Sequence, residues 1–233
     1  MTREVPFKES LTPTNCDSRM VEIRTLGERT DILIRERAIE PGESLEKIQN
    51  TITEAKKFFK EMAEKYDINI VSMDTVVGKN EKGERAVFTI IDKIEGESLS
   101  KIEVLPFVAR DELEQLYVSL AHYYHDIWKQ DKKYWADGNN TQFMYGHKQN
   151  SDDNHFFLVD VDARFYLENE NEFFPIEWLL HNICKGLVEA EGKLEEKIRL
   201  EKARDSLLTV INEMIEKKPD DKWLYKAREI LGS

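Results

Sequence analysis

The sequence predicts an α+β fold in which a small antiparallel sheet carrying one helix precedes a mostly helical remainder. Three observations carry this. From about residue 21 to 92 the apolar patterning runs strand, strand, helix, strand, strand. A short polar segment containing a glycine, Ile94-Glu95-Gly96-Glu97-Ser98-Leu99, then interrupts it. Beyond that segment, apolar residues recur at three- and four-residue spacing over most of the chain.

Residues from about 1 to 20 are rich in Thr, Pro, Asn and Ser and read as an irregular lead-in. Two strands follow, at Val21-Glu22-Ile23-Arg24 and from Asp31 to Arg37, joined by a turn at Leu26-Gly27-Glu28. Pro41-Gly42 ends the second. Ser44 is placed to cap a helix reaching about Tyr66, with Glu46 near its positive end and Leu45, Ile48, Ile52, Ala55, Phe59 and Met62 on one face. Two further strands, from Ile68 toward Val77 and from Ala86 to Asp92, form a hairpin around the polar turn Gly78–Glu84.

In the second part, Leu113, Leu116, Tyr117, Leu120, Tyr124 and Ile127 form one stripe of a helix over Arg110 to Trp128. A loop with hairpin-like strands occupies about 134–166, and helices are expected at about 175–191, 193–217 and 220–231. The domain organisation is therefore an irregular lead-in at 1–20, an N-terminal lobe at 21–95 and a helical C-terminal lobe at 96–233.

The 233-residue chain is 40% hydrophobic and 34% charged, the balance of a globular protein. Its formal net charge of −12 opposes binding to nucleic acid or to an anionic membrane surface. No apolar run approaches the length of a bilayer span, and Met1-Thr2-Arg3-Glu4-Val5-Pro6 has no apolar signal core. The cytoplasm is the expected compartment. Cys16 and Cys184 are too few and too far apart for a disulfide framework or a zinc site.

The chemistry-bearing stretch is Tyr134-Trp135-Ala136-Asp137, then Gln142, then Phe156-Phe157-Leu158-Val159-Asp160-Val161-Asp162. It places a carboxylate in a loop, an amide five residues later and a second carboxylate at the end of an apolar strand. Such a set can orient a hydroxyl and hold metal ions beside a nucleotide. Asn139 and Asn140 are alternative ligands to Gln142. His122 and His125 share a helix without a third ligand at suitable spacing, and a surface or lobe-packing role is expected for them.

The order of elements and these residues resemble the protein-kinase-like fold, in the manner of the compact aminoglycoside and small-molecule kinases, over about residues 20–190. The resemblance implies roles residue by residue. Arg35, ending Ile32-Leu33-Ile34, stands where a lysine usually pairs with a helix glutamate to hold phosphates, with Glu54 as that glutamate and Arg37 as the alternative cation. Gly27 is the remnant of the phosphate-covering loop, and Ile94 and Gly96 belong to the hinge whose backbone meets adenine. The apolar run Phe88 to Ile91 would line that pocket. Asp137 is the catalytic-loop acid, and Gln142, Asp160 and Asp162 are the metal ligands. The implied cofactors are ATP and Mg, with a small molecule or a protein as a further partner.

Several parts of this site depart from the pattern together. Arg35 replaces the lysine, Gln142 the asparagine and Trp135-Ala136 the usual residues before the acid, and glycines are scarce. The expectation is a kinase-like protein with a partly degraded Mg-nucleotide site, a pseudokinase-type binding or regulatory protein. The alternative is an active, atypical ATP-dependent phosphotransferase acting on a small-molecule hydroxyl.

Overall fold

The structure, a computed structural model, describes residues 11–13, 22–26, 29–39, 42–80, 82–130, 134–161, 166–167 and 175–232. Gly27, Cys16 and Asp162 lie outside the described residues. The first sheet has five antiparallel strands in the order β1-β2-β3-β5-β4: β1 Leu11–Pro13, β2 Glu22–Leu26, β3 Arg29–Ala38, β4 Met73–Lys79 and β5 Arg85–Asp92. The strand β1 lies within the stretch expected to be irregular; a three-residue edge strand with a terminal proline is too short to show a period of two.

The helix α1, Leu45–Tyr66, starts where expected. The Ser44 hydroxyl accepts the Lys47 N–H, and the helix closes at Asp67, whose φ of 54° lies in the left-handed region. Ile48, Ala55, Phe59 and Met62 form its buried face. Full burial of each large side chain contributes roughly 1.5–3 kcal/mol. The hairpin between β4 and β5 turns on Asn80, whose side-chain oxygen accepts the N–H groups of Lys82 and Glu84, with Gly83 at a φ of +78°. Residues 68–72 do not open a strand of this sheet. Ile70 instead bridges in parallel to Leu158, with Val71 N–H donating to Leu158 O and Leu158 N–H to Asn69 O.

The alternation along β3 decides what the site receives. Ile32 and Ile34 join Ala86 and Phe88 in a small cluster, whereas Leu33 packs against the main core. Arg35 therefore shares the Leu33 side of the strand. The run Phe88 to Ile91 is split the same way: Phe88 joins the small cluster and Ile91 the main core. It does not present one apolar wall.

The segment expected to be a hinge is a strand. β6, Ile94–Ser98, pairs antiparallel with β8, Phe143–Lys148, which pairs in turn with β9, His155–Leu158. Gly96 faces Gly146, and a Cβ on Gly96 would stand 2.2 Å from Tyr145 O and 2.6 Å from the Gly146 Cα. These glycines are required by close approach of two backbones.

The helices are α2 Arg110–Gln130, α3 Ile176–Glu191, α4 Glu201–Lys217 and α5 Lys222–Gly232. The main core runs through all of them. The helix expected at 193–217 begins eight residues later than anticipated. Its first turn is capped from other helices: Glu191 accepts the Leu200 N–H at 2.7 Å and Glu114 accepts the Lys202 N–H at 2.9 Å. A two-residue strand β7, Tyr134–Trp135, pairs with β10, Tyr166–Leu167. Among the described residues no helix is long and apolar enough to cross a membrane.

Candidate functional site

The loop bearing Asp137 is held from α2. Tyr123 and Tyr124 are fully buried, and their hydroxyls clasp the backbone of Trp135: the Trp135 N–H donates to Tyr123 at 2.7 Å, and Tyr124 donates to Trp135 O at 3.0 Å. Trp135 fills the core, edge-on to Phe143 with ring centroids 5.9 Å apart. Gly138 then passes so near Tyr124 that a Cβ there would lie 2.5 Å from its hydroxyl. An L side chain would push the loop off α2.

The two asparagines after it have different tasks. Asn140 is buried, accepting from Tyr117 at 2.6 Å and donating to Gly186 O at 2.9 Å. It anchors the loop to α2 and α3, with both amide atoms bonded inside the protein. Asn139 caps the short 3₁₀ turn Asn140–Gln142, its side-chain oxygen accepting the Thr141 N–H at 2.9 Å. Its amide nitrogen donates to one oxygen of Asp137, and the amide nitrogen of Gln142 donates to the other. Both Asp137 oxygens thus face amide donors.

Burial raises the carboxyl of Asp137 from its ordinary 3.8 to about 6; the charge of Asp160 adds to the rise and the bond from Asn139 opposes it. The end of β9 is joined to the same loop, since the Val159 N–H donates to Gln142 O at 2.9 Å. Asp160 follows and meets Arg35: its Oδ1 lies 2.9 Å from Nη1, with the two side chains 19% and 15% exposed. Residues 125 positions apart therefore form one ion pair between β3 and the end of β9.

The site residues expected from sequence are gathered only in part. Arg35, Asp137, Gln142 and Asp160 converge. Arg37, the alternative cation, is turned to Glu43 in a bidentate pair at 2.9 and 3.0 Å, so Arg35 is the cation that reaches the acids. Glu54 is exposed on α1. Ile94 is buried in the main core and Gly96 is consumed by its contact with Gly146, so neither sits in an open hinge. His125 pairs with Glu213 and stacks on Trp128, as its packing role requires. The clasping tyrosines and the Tyr117–Asn140 bond were not foreseen as parts of the site; the signal available was Tyr117 and Tyr124 seven residues apart on one helix stripe.

A divalent cation does not fit the donors as they stand. One Asp160 oxygen is taken by a guanidinium, and Gln142 turns its nitrogen toward Asp137, to which it donates. Among the described residues no group of three or more His, Cys, Asp or Glu side chains is placed to hold a metal ion.

An antiparallel sheet carrying α1 after its third strand, a helix-led second half, and a loop acid beside a strand-end acid and a third-strand cation make this a protein-kinase-like fold. No family model matches the sequence, and no curated protein matches it significantly. Among solved structures the chain is similar to an apo pseudokinase, at 12% identity and a TM-score of 0.47, covering 96% of this chain and 92% of that one. It is also similar to the GDP complex of wild-type aminoglycoside 2'-phosphotransferase-IIIa, at 10% identity and a TM-score of 0.44, covering 96% and 91%.

Proposed function

We propose that this chain is a pseudokinase-type protein, a nucleotide-binding or regulatory module that keeps the kinase-like frame without an intact phosphotransfer site. The observation that carries the reading is the Arg35–Asp160 ion pair beside an Asp137 whose two oxygens accept amide bonds from Asn139 and Gln142. Phosphoryl transfer needs a cation free for phosphate and an acid free for metal. Here each satisfies the other. The proposed organisation is an N-terminal lobe at 21–95 and a helical lobe at 96–233, with the nucleotide between them, and the proposed compartment is the cytoplasm.

Thermal unfolding with millimolar ATP, ADP or GTP tests this. A ligand that binds only the folded state raises its stability by RT ln(1 + [L]/Kd). A rise in Tm without release of γ-phosphate is expected; no rise with any nucleotide overturns nucleotide binding.

One observation favours the alternative, an active phosphotransferase acting on a small-molecule hydroxyl. A carboxyl raised to about 6 and oriented by two amides is suited to accept a proton near neutral pH. Steady γ-phosphate transfer that disappears in Asp137→Asn would establish that reading instead.

A further inference from the structure

We infer that Arg35 is a resident counter-ion that stands in for a divalent cation, so that this acid site refuses magnesium. The inference rests on the site proposed above but not on nucleotide binding. Asp160 lies next to Val159, whose N–H is bonded to Gln142 O, and Gln142 is bonded to Asp137. The two carboxylates are therefore carried on one hydrogen-bonded unit, where a divalent cation would be their natural neutraliser. The arrangement fills that need from within. Arg35 brings a permanent positive charge to Asp160 at 2.9 Å. The Gln142 and Asn139 amides cover Asp137 with N–H groups. A metal ion entering here would have to displace a guanidinium that is only 15% exposed and turn an amide around.

The alternation of β3 gives Arg35 this position. It lies on the Leu33 side of the strand, toward the main core, while Arg37 two residues on is held away by Glu43. The residue type matters. A guanidinium stays charged under all ordinary conditions, so the acid is neutralised whether or not a ligand is present.

The test is a cation response with no nucleotide present. The Tm of the wild-type chain is compared in millimolar MgCl2 or MnCl2 and in NaCl of equal ionic strength, beside Arg35→Met and the double variant Arg35→Met/Asp160→Asn. The inference expects no divalent-specific shift in the wild type, a clear rise in Tm for Arg35→Met, and loss of that rise in the double variant. An Arg35→Met protein that folds but gains no divalent response overturns it. A wild type already stabilised by Mg²⁺ through Asp160 does the same.

Should Arg35→Met fail to fold, Mn²⁺ titration of the wild type and of Asp160→Asn, followed by water-proton relaxation, decides the matter. Binding that vanishes in Asp160→Asn refutes the inference. No binding at millimolar Mn²⁺, or binding indifferent to Asp160→Asn, supports it. Because nucleotide is absent throughout, failure here leaves the nucleotide-binding proposal standing, and failure there leaves this one.

Discussion

Arg204 and Arg35 each hold a carboxylate, the first inside the helical half and the second between β3 and the end of β9. Arg204 meets Glu191 through two nitrogens, at 2.9 and 2.5 Å, and donates a third bond to Leu231 O at 2.6 Å. Glu191 also accepts the Leu200 N–H. Both side chains are nearly sealed, at 6% and 7% exposure. This pair ties α3, the start of α4 and the end of α5 into one body. Arg35 and Asp160 meet through one nitrogen and one oxygen and remain partly open to solvent. The first pair is built so that nothing else can enter. The second has the composition of a ligand site and the connectivity of an internal contact.

Breaking each pair should show the difference. Arg204→Met leaves Glu191 buried without its partner and should cost about 3–5 kcal/mol, the range for an orphaned buried charge. Urea unfolding measures it; a loss below about 1 kcal/mol would mean the pair is no more than a surface contact. Next comes Asn140→Ala, which strands the Tyr117 hydroxyl and the Gly186 carbonyl in the core and should cost about 1–3 kcal/mol. If the same variant also shifted the near-ultraviolet signal of the buried Trp135, loosening of the Asp137 loop would be seen directly. Arg35→Met should cost less, about 1–2 kcal/mol, between the values for exposed and sealed pairs. A cost equal to that of Arg204→Met would erase the distinction between the two regions.

The loop acid adds a pH dependence. Asp137 binds its proton more tightly in the folded state, with a value near 6 against the ordinary 3.8. The stabilisation from this group is therefore complete below about 3.8, declines as pH rises through 6, and is absent above. Asp137→Asn should remove this component. Relative to wild type, the variant should gain stability from pH 4 to pH 8 when unfolding midpoints are compared across that range, with the change concentrated between 4 and 6. A parallel pair of curves would mean Asp137 is not perturbed.

Much of the first sheet and of α1 was readable because local periodicity decides it: Ser44, the stripe to Met62 and the Asn80–Gly83 turn each act within a few residues. The loop acid and the strand-end acid were readable because their positions follow from where a helix and a strand stop. What stayed hidden is non-local. The pairing of Arg35 with Asp160 spans 125 positions and leaves no mark on the pattern around either residue. The segment at 94–98 reads as a polar linker by composition, and only its contact with β8 makes it a strand. The start of α4 was misplaced because its caps, Glu114 and Glu191, come from other helices. Asn139 and Asn140 look alike in sequence, and only the buried Tyr117 separates their roles.

The central proposal is that a kinase-like frame here binds nucleotide while its phosphotransfer chemistry is held shut by its own side chains. A titration of the wild-type chain with ATP, following Tm and γ-phosphate release in the same samples, tests it most directly. The account predicts a concentration-dependent rise in Tm with no phosphate released beyond the buffer control. A flat Tm up to millimolar ATP, or steady turnover, would contradict it.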